Sequence, residues 1–562
     1  MNSSNLKVQE KSEPTTQIAT RSTDNTHFIE SESHRNYENW SKEELVKEIK
    51  KLLRRKKYGV VWEEKEEDVV SLCRIKLPIL KEVYEKSITD GGSLPTNLLI
   101  EGDNFHTLSV LNYTHEGNVD LIFIDPPYNT GNGDFSYNDN IVDKNDVYRH
   151  SKWLSFMSHR LKLAKSLLKK TGTIFITIDD NEYAQLKLLC DDIFEESNFV
   201  GTVCWKHRNS VSNDLIISQN HNYILIYAKD FKTLFANKRE FRLEKELTGF
   251  SNPDNDSKGP YKLTPVDGPG GSRKGNPYYE FLGVKGYWRY SYDNMQKMYE
   301  DGRIVKRGKT LSRKYFLYEA EASGGKVVTT WWDDAGTTTE GTRTLNEMIG
   351  EGKFNNPKPV SLLKKIIKLS SGKSSLILDF FAGSGTTGQA VLELNREDNG
   401  QRRFILCTNN ENNICTTVCY PRLYKTINSG EAPPVKTTSN GVLRYYVTDF
   451  VDAEPTDINK KFLVDRSTDI LCLKEDCFEN VKEGNSYKIF KGSNERLLCI
   501  IYDDDGIKSC KEEIKKLGKL VSLYVFSLDE GTKDDEFSDV KDLVNLKPIP
   551  ASILNVYRRL FK

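Results

Sequence analysis

The sequence predicts an α/β fold: a mostly parallel sheet wound by helices on both faces, with an inserted region and a small C-terminal α/β unit. Three observations predict it. Short apolar runs of strand length occur at 97–103, 119–125, 173–179, 375–381 and 402–407, several of them closing on an acid. Amphipathic helical stretches such as 153–170 and 182–194 stand between them, and alternation of strand and helix builds a parallel sheet covered on both sides. Finally, 562 residues exceed the ~250–300 at which a single core stops growing, so two or three domains are expected.

Residues 1–35 are polar, rich in Ser, Thr, Asn and Glu, and read as a flexible arm with too little apolar surface to offset the entropy of ordering. Ser41 and Glu44 have capping-box spacing before an apolar-periodic stretch, which predicts a helix over about 42–57. Its end is rich in Lys and Arg, a composition that suits phosphate contact and the C-terminal helix dipole alike. The charges balance at 81 basic and 81 acidic residues, with 29% charged and 37% hydrophobic, so a polyanionic partner has to be met by a local patch. No apolar run reaches the ~18–20 residues of a membrane span and the N-terminus has no signal-peptide pattern, which predicts a cytoplasmic protein without a membrane partner. The ten cysteines and eight histidines show no paired ligand spacing, so no metal is expected and the thiols read as buried and reduced.

In a sheet of this kind ligands bind beyond the carboxyl ends of the strands, so the acids there are where chemistry is sought. Asp125-Pro126-Pro127-Tyr128 follows the apolar run 119–124. Two prolines stiffen the backbone and remove two N–H donors, leaving carbonyls outward between a carboxylate and an aromatic ring. An aromatic amine is a poor nucleophile because its lone pair is delocalised into the ring. Asp125 and the Pro126 carbonyl can accept its two hydrogens while Tyr128 stacks on the base, which localises the lone pair. A base in a duplex has to flip out to reach such a pocket, at a cost of a few kcal/mol.

The second motif runs Asp379-Phe380-Phe381-Ala382-Gly383-Ser384-Gly385-Thr386-Thr387-Gly388 after the run 375–378. Its glycines permit a tight strand-to-helix turn and close approach of a ligand to backbone N–H groups. Alone, this string also fits G-x-G-x-x-G, a dinucleotide fingerprint.

Taken together, the two motifs resemble the amino-methyltransferases of DNA, in which a Phe-x-Gly-x-Gly loop binds S-adenosylmethionine and an Asp-Pro-Pro-Tyr loop holds the target base. The order, catalytic loop before cofactor loop, resembles the beta group of that family. Lys358 and Pro359, in Asn356-Pro357-Lys358-Pro359, resemble the family segment that lines the methionine end of the cofactor, and Asp103 the strand end leading into the same pocket. The stretches 329–345, 355–368 and 407–423 resemble most the modification (Mod) subunits of type III restriction systems. The resemblance implies a Rossmann-like methyltransferase sheet. It assigns catalysis to Asp125, Pro126, Pro127 and Tyr128. Cofactor binding falls to Asp103, Lys358, Pro359, Asp379, Phe381, Ala382, Gly383, Ser384, Gly385, Thr386 and Thr387. The sequence departs from the family where the strand after the glycine-rich loop usually ends in an acid for the ribose hydroxyls: here stand Thr408, Asn409 and Asn410, so Asn409, Asn410 and Glu411 are all candidates.

Between the motifs, residues 271–316 carry 11 Lys/Arg against 4 Asp/Glu and ten aromatics, a composition expected of a target-recognition surface. Arg273, Lys274, Tyr287, Trp288, Arg289, Lys306 and Arg307 are its candidate DNA contacts. The expected division is 1–35 arm, 36–240 and 346–435 the two parts of the methyltransferase domain, 241–345 the recognition insert, and 436–562 a C-terminal α/β domain. In that domain, twelve acids against eight Lys/Arg over 501–547 suit packing or partner docking better than sliding on DNA, and the terminal ILNVYRRLF reads as a helix packed on its own domain. The implied activity is N6-adenine methylation of double-stranded DNA by direct transfer. The alternatives are cytosine N4 methylation, a nicotinamide-dependent oxidoreductase and a DNA-binding module without catalysis. The family resemblance also implies a homodimer and a helicase-nuclease (Res) partner, since no Walker motif or nuclease cluster is seen in these residues.

Overall fold

The computed structural model describes residues 40–53, 59–89, 95–213, 216–245, 247–428, 441–492, 495–528, 531 and 533–561. The chain divides into two units, 1–59 and 60–562. In the first, α1 (Lys42–Leu53) starts on the expected capping box: the Glu44 amide donates to Ser41 Oγ at 3.2 Å and the Ser41 amide to Glu44 Oε2 at 2.8 Å. The arm expected over 1–35 and the basic residues 54–57 lie outside the described residues.

The second unit is organised on a ten-stranded sheet. In chain order its strands are β1 (Lys76–Glu82), β2 (Thr96–Glu101), β3 (Val119–Ile124), β4 (Leu168–Ile178), β5 (Phe199–Lys206), β6 (His221–Ala228), β7 (Trp331–Trp332), β8 (Leu376–Asp379), β9 (Arg403–Thr408) and β10 (Val442–Asp452). In space they run β1-β10-β2-β9-β8-β3-β4-β6-β5-β7. The six from β10 to β4 are parallel, with β1 and β6 antiparallel to their neighbours. Every strand expected from the apolar runs is present. β8 and β3 pair directly, Ile377 opposite Leu121 and Leu378 opposite Ile122, so the segments that follow them leave the sheet side by side.

Helices cover both faces: α2 (Asn104–Thr114), α3 (Arg149–Leu167) and α4 (Tyr183–Cys190), then α5 (Val360–Ser370), α6 (Thr386–Asp398) and α7 (Tyr420–Asn428). Side chains alternate across the pleat. Ile122 and Ile124 of β3 pack with Leu108 of α2 and Trp153 and Leu161 of α3, while Leu121 and Phe123 enter a second core with Leu362, Leu363 and Ile366 of α5 and Val391 of α6. Each such side chain, fully buried, contributes about 1.5–3 kcal/mol, and strands buried on both faces read as the continuous apolar runs that identified them.

Two differences from expectation concern the periphery. Residues 442–452, expected to open the C-terminal domain, form β10 and pair with β2 from Val442 opposite Thr96 to Val447 opposite Glu101. An alternating apolar stretch such as VLRYYVTDFV fits either sheet, and only the register partner decides. The second sheet therefore begins at Cys477–Glu483 and continues through Tyr487–Gly492, Leu497–Ile501, Val521–Phe526 and Val544–Ile549. Its Leu498, Ile500, Tyr524 and Ile549 share the core of α2 and α3. The terminal helix α8 (Ala551–Leu560) packs on the main sheet layer as well as on its own: Tyr557 donates to the Pro78 carbonyl and Arg559 pairs with Glu116 at 2.8 Å. Among the described residues no helix is long and apolar enough to cross a membrane.

The insert builds a three-stranded sheet (Tyr261–Pro265, Ile304–Arg307, Thr310–Phe316) and a hairpin (Tyr278–Phe281, Val284–Tyr287). Its small core holds Val266, Phe281, Trp288, Met295, Ile304 and Leu311.

Candidate active site

The segments after β3 and β8 face one cleft of about 640 Å³. Asp125, Pro126, Pro127 and Tyr128 line it together with Phe381, Gly383, Asp103, Lys358, Asn409 and Glu411. Two motifs about 250 residues apart in the chain thus share one wall-to-wall space, because β3 and β8 are adjacent and parallel.

The Asp-Pro-Pro-Tyr loop is held from several sides. Asp125 Oδ1 accepts from Thr177 Oγ1 of β4 at 2.5 Å, and Oδ2 is ion-paired with Lys358 Nζ. Trp153 Nε1 of α3 donates to the Pro127 carbonyl at 2.8 Å. Asn222 of β6 donates to the Tyr128 hydroxyl at 3.3 Å, and Lys358 Nζ stands 5.2 Å from the centre of that ring. Burial, reinforced by the Asp125 charge, pushes the Tyr128 hydroxyl well above its ordinary range, so it remains a neutral stacking and hydrogen-bonding surface. Lys358, expected at the methionine end of a cofactor, lines the cleft as a largely buried cation and is ion-paired there with Asp125.

The glycine-rich loop is shaped from beneath by side chains that do not reach the cleft. Asp379 is buried: Oδ1 accepts from the Phe381 amide at 3.0 Å and Oδ2 from Thr387 Oγ1 at 2.5 Å. Burial raises its carboxyl to about 7. Gly383 (φ 48°) and Gly385 (φ 78°) take left-handed backbone; a Cβ on Gly385 would lie 2.9 Å from Cys419 Sγ, and one on Gly383 3.2 Å from the Phe354 ring. The Ala382 amide donates to the Cys407 carbonyl at 3.1 Å, tying the turn to β9. Ser384 and Thr386 are buried against Arg422 of α7, whose Nη1 donates to Ser384 Oγ at 3.0 Å and Thr386 Oγ1 at 2.7 Å, while Nε donates to Gln389 at 2.6 Å. Pro359 is buried at the N-terminus of α5. Asp379, Ser384, Thr386 and Thr387 therefore stand behind the loop and shape it, and its cleft surface is Phe380, Phe381 and Gly383.

At the rim, Asp103 caps α2 by accepting from the Phe105 amide at 2.7 Å and meets Arg160 Nη2 at 3.3 Å. Of the three residues beyond β9, Asn409 and Glu411 line the cleft, whereas Asn410 turns away to accept from the Thr416 amide at 3.1 Å.

Residues 119–418 match the family model described as DNA methylase, a span that holds both loops and more than half of the chain. The chain belongs to the DNA methylase family. Among relatives, it is 38% identical to the type III restriction-modification enzyme StyLTI Mod subunit of Salmonella typhimurium, over 59% of this chain and 55% of that protein. It is 31% identical to the EcoPI Mod subunit of Escherichia phage P1, over 59% and 60%, and 31% identical to the type II methyltransferase M.KpnI of Klebsiella pneumoniae, over 58% and 84%. The match thus spans little more than half the length of the two Mod subunits.

In this DNA methylase the insert does not present all seven residues expected to face DNA. Arg273, Lys274, Tyr287, Arg289, Lys306 and Arg307 are exposed. Trp288 is a correction: it is 3% exposed, donates from Nε1 to the Tyr279 carbonyl at 2.9 Å and fills the insert core. Its aromatic neighbours made it look like part of a stacking surface, but the hairpin register turns it inward, opposite to Tyr287. The local excess of positive charge is also smaller in space than in sequence. Arg303 and Arg313 pair with Glu319, and Lys314 with Asp254 and Asp256, acids outside the counted segment.

Sequence reasoning missed Thr177, Arg422, Phe354 and Arg160. Thr177 carries a readable signal, a polar residue inside an apolar strand next to a motif-bearing one. Arg422 had one too, a lone charge on the apolar face of a helix, since such a residue is rarely buried unless it is bonded.

Proposed function

We propose that this DNA methylase transfers the methyl group of S-adenosylmethionine to the N6 amino group of a flipped adenine in duplex DNA, as the modification subunit of a type III restriction-modification system. The observation that carries this is the meeting of the Asp125–Tyr128 loop and the Phe381–Gly383 turn in one cleft. The residues present fit the cofactor: at Gly383 even a Cβ would crowd Phe354, and the polar lining (Asp103, Asn409, Glu411) matches an amino acid and a ribose. Phe381, Gly383, Asp103, Asn409 and Glu411 would hold it, with Lys358 as partner for its carboxylate. When bound, S-adenosylmethionine supplies an electrophilic methyl group on a sulfonium.

The chain's own task is to prepare the amine. Tyr128 offers its face to the base, and Pro126, which has no N–H, offers a carbonyl for one amine hydrogen. Asp125 accepts the other once Lys358 swings aside, and Thr177 holds the opposite carboxylate oxygen in place. No cysteine nucleophile is required, since a localised nitrogen lone pair attacks directly. Asp at the head of the loop favours adenine over cytosine. The exposed cations of the insert, Arg273, Lys274, Arg289, Lys306 and Arg307 with Tyr287, supply a phosphate-facing surface. The names of the Mod relatives support assembly with a restriction subunit, and the type III resemblance supports a homodimer.

The test is transfer of labelled methyl to duplex DNA followed by nucleoside chromatography. N6-methyladenine is expected; N4-methylcytosine would move the target, and no transfer with intact S-adenosylmethionine binding would overturn the reading. Asp125→Ala should lower the transfer rate by about 100–1,000-fold with cofactor affinity kept. Arg273→Ala and Arg307→Ala should each reduce the slope of log Kd for DNA against log salt by about 1.

A further inference from the structure

Immediately behind the Asp125–Tyr128 loop lies a polar cluster that the transfer scheme does not use. Asn129, the residue after Tyr128, is fully buried and held in left-handed backbone at φ 57°. Its Nδ2 donates to Glu182 Oε1 at 2.5 Å and to the Arg149 carbonyl at 3.3 Å. Glu182 is equally buried, and its Oε1 also meets His150 Nδ1 at 2.6 Å. Two polar atoms of this cluster are left without a partner: Glu182 Oε2 and Asn129 Oδ1. An unpaired buried acceptor is expensive, and two in one cluster call for an explanation.

A single proton resolves both. A carboxylic acid and a primary amide joined by one N–H···O bond close a second when the acid carries its proton on the other oxygen. The neighbours agree with a neutral acid. Arg149 Nε donates to His150 Nε2 at 3.2 Å, which makes Nε2 an acceptor and leaves the single imidazole proton on Nδ1, pointing at Glu182. His150 is therefore a neutral donor and supplies no counter-charge; burial and Arg149 also lower its basicity.

We propose that Glu182 is a positioning residue for the catalytic loop: as a neutral acid it donates from Oε2 to Asn129 Oδ1 while accepting from Asn129 Nδ2, and this pair clamps the turn that sets Tyr128 and Asp125. Burial raises the Glu182 carboxyl to about 8, so the proton is held at neutral pH and lost above it. The groups facing it are Asn129 of the loop, His150 and Arg149 at the start of α3, and Asp179 after β4, whose charge opposes ionisation as Arg149 favours it. Once ionised, Oε2 and Asn129 Oδ1 present lone pairs to each other and the turn is released. The inference rests on the reading of Asp125–Tyr128 as the catalytic loop.

The test compares the full-length parental chain with Glu182→Gln and Glu182→Ala. Gln can donate from its amide to Asn129 Oδ1 and accept on its oxygen, so it rebuilds the clamp without a titratable proton. In single-turnover methyl transfer, the parental rate should fall about tenfold per pH unit above about 8. Glu182→Gln should match the parental rate at pH 7 and stay flat to pH 9. Glu182→Ala should run about 100-fold below the parental pH 7 rate, as expected for a displacement near 1 Å, without the alkaline fall and with S-adenosylmethionine affinity kept. If Glu182→Gln retains the alkaline fall, or is as slow as Glu182→Ala at pH 7, the clamp is wrong. Infrared difference spectra of parental protein against Glu182→Gln read the proton without any turnover. A protonated-carboxyl band at pH 7 that is gone by pH 9 is expected, and carboxylate bands at pH 7 would overturn the proposal. Absence of methylation by all three proteins would count against the function, and the spectra would still judge the clamp.

Discussion

Replacing Asp379 with Asn should stabilise the protein increasingly as the pH rises. The carboxyl is buried at the end of β8, and burial lifts it from an ordinary 3.8 to about 7. In the unfolded chain it ionises near 3.8. Below that pH it is neutral in both states and the penalty is nil; the penalty grows as the pH climbs and levels off above about 7. The gap corresponds to about 4 kcal/mol at the plateau, and about 1.5 kcal/mol at pH 5. An Asn at this position keeps both bonds, accepting from the Phe381 amide and donating to Thr387 Oγ1, and never ionises. At about 2.1 cal/mol/K per residue, a unit of this size changes its melting temperature by about 1 °C per kcal/mol. Thermal midpoints of parental and Asp379→Asn protein at pH 5, 6, 7 and 8 should therefore diverge, the variant gaining about 2–3 °C more at pH 8 than at pH 5. S-adenosylmethionine affinity should persist, since Asp379 shapes the turn from behind. A gap that stays constant or narrows with pH would refute the buried, proton-holding carboxyl.

Two further substitutions probe the same turn. Gly385→Ala meets both a left-handed backbone and the Cys419 sulfur at 2.9 Å; the backbone alone costs about 1–2 kcal/mol, so thermal midpoint and cofactor affinity should both fall, and thermal scans and calorimetric titration showing neither would contradict the left-handed turn at Gly385. Arg422→Met removes a buried cation whose burial lowers it to about 10 but which carries the donors for Ser384, Thr386 and Gln389. Its thermal midpoint should change little, because an apolar side chain recovers the desolvation cost, whereas the Kd for S-adenosylmethionine should rise about tenfold, the worth of one charged hydrogen bond. Loss of fold with unchanged affinity per folded molecule would show that Arg422 acts on the core instead.

The layer architecture and both loop motifs were legible in local pattern alone. Strands buried on both faces must be apolar throughout, so β2, β3, β4, β8 and β9 announce themselves, and a Pro-Pro turn or a Gly-x-Gly turn constrains its own backbone wherever it lies. Local signals of that kind also placed the capping box at Ser41 and Glu44. Tertiary structure decided what local pattern leaves undetermined. Whether β10 joins the first sheet or the second is a question of pairing partner, and its alternation is the same in both. Trp288 faces inward because of hairpin register, which a one-residue shift would reverse. Lys358, just ahead of α5, finds Asp125 after β3, and Glu182, beyond β4, finds Asn129 after β3, only because the fold gathers these segments at the carboxyl ends of the central strands. Above all, the adjacency of β3 and β8 brings the two loops into one cleft. Composition and period describe each strand alone, and the order of strands is set by how their helices pack across both faces.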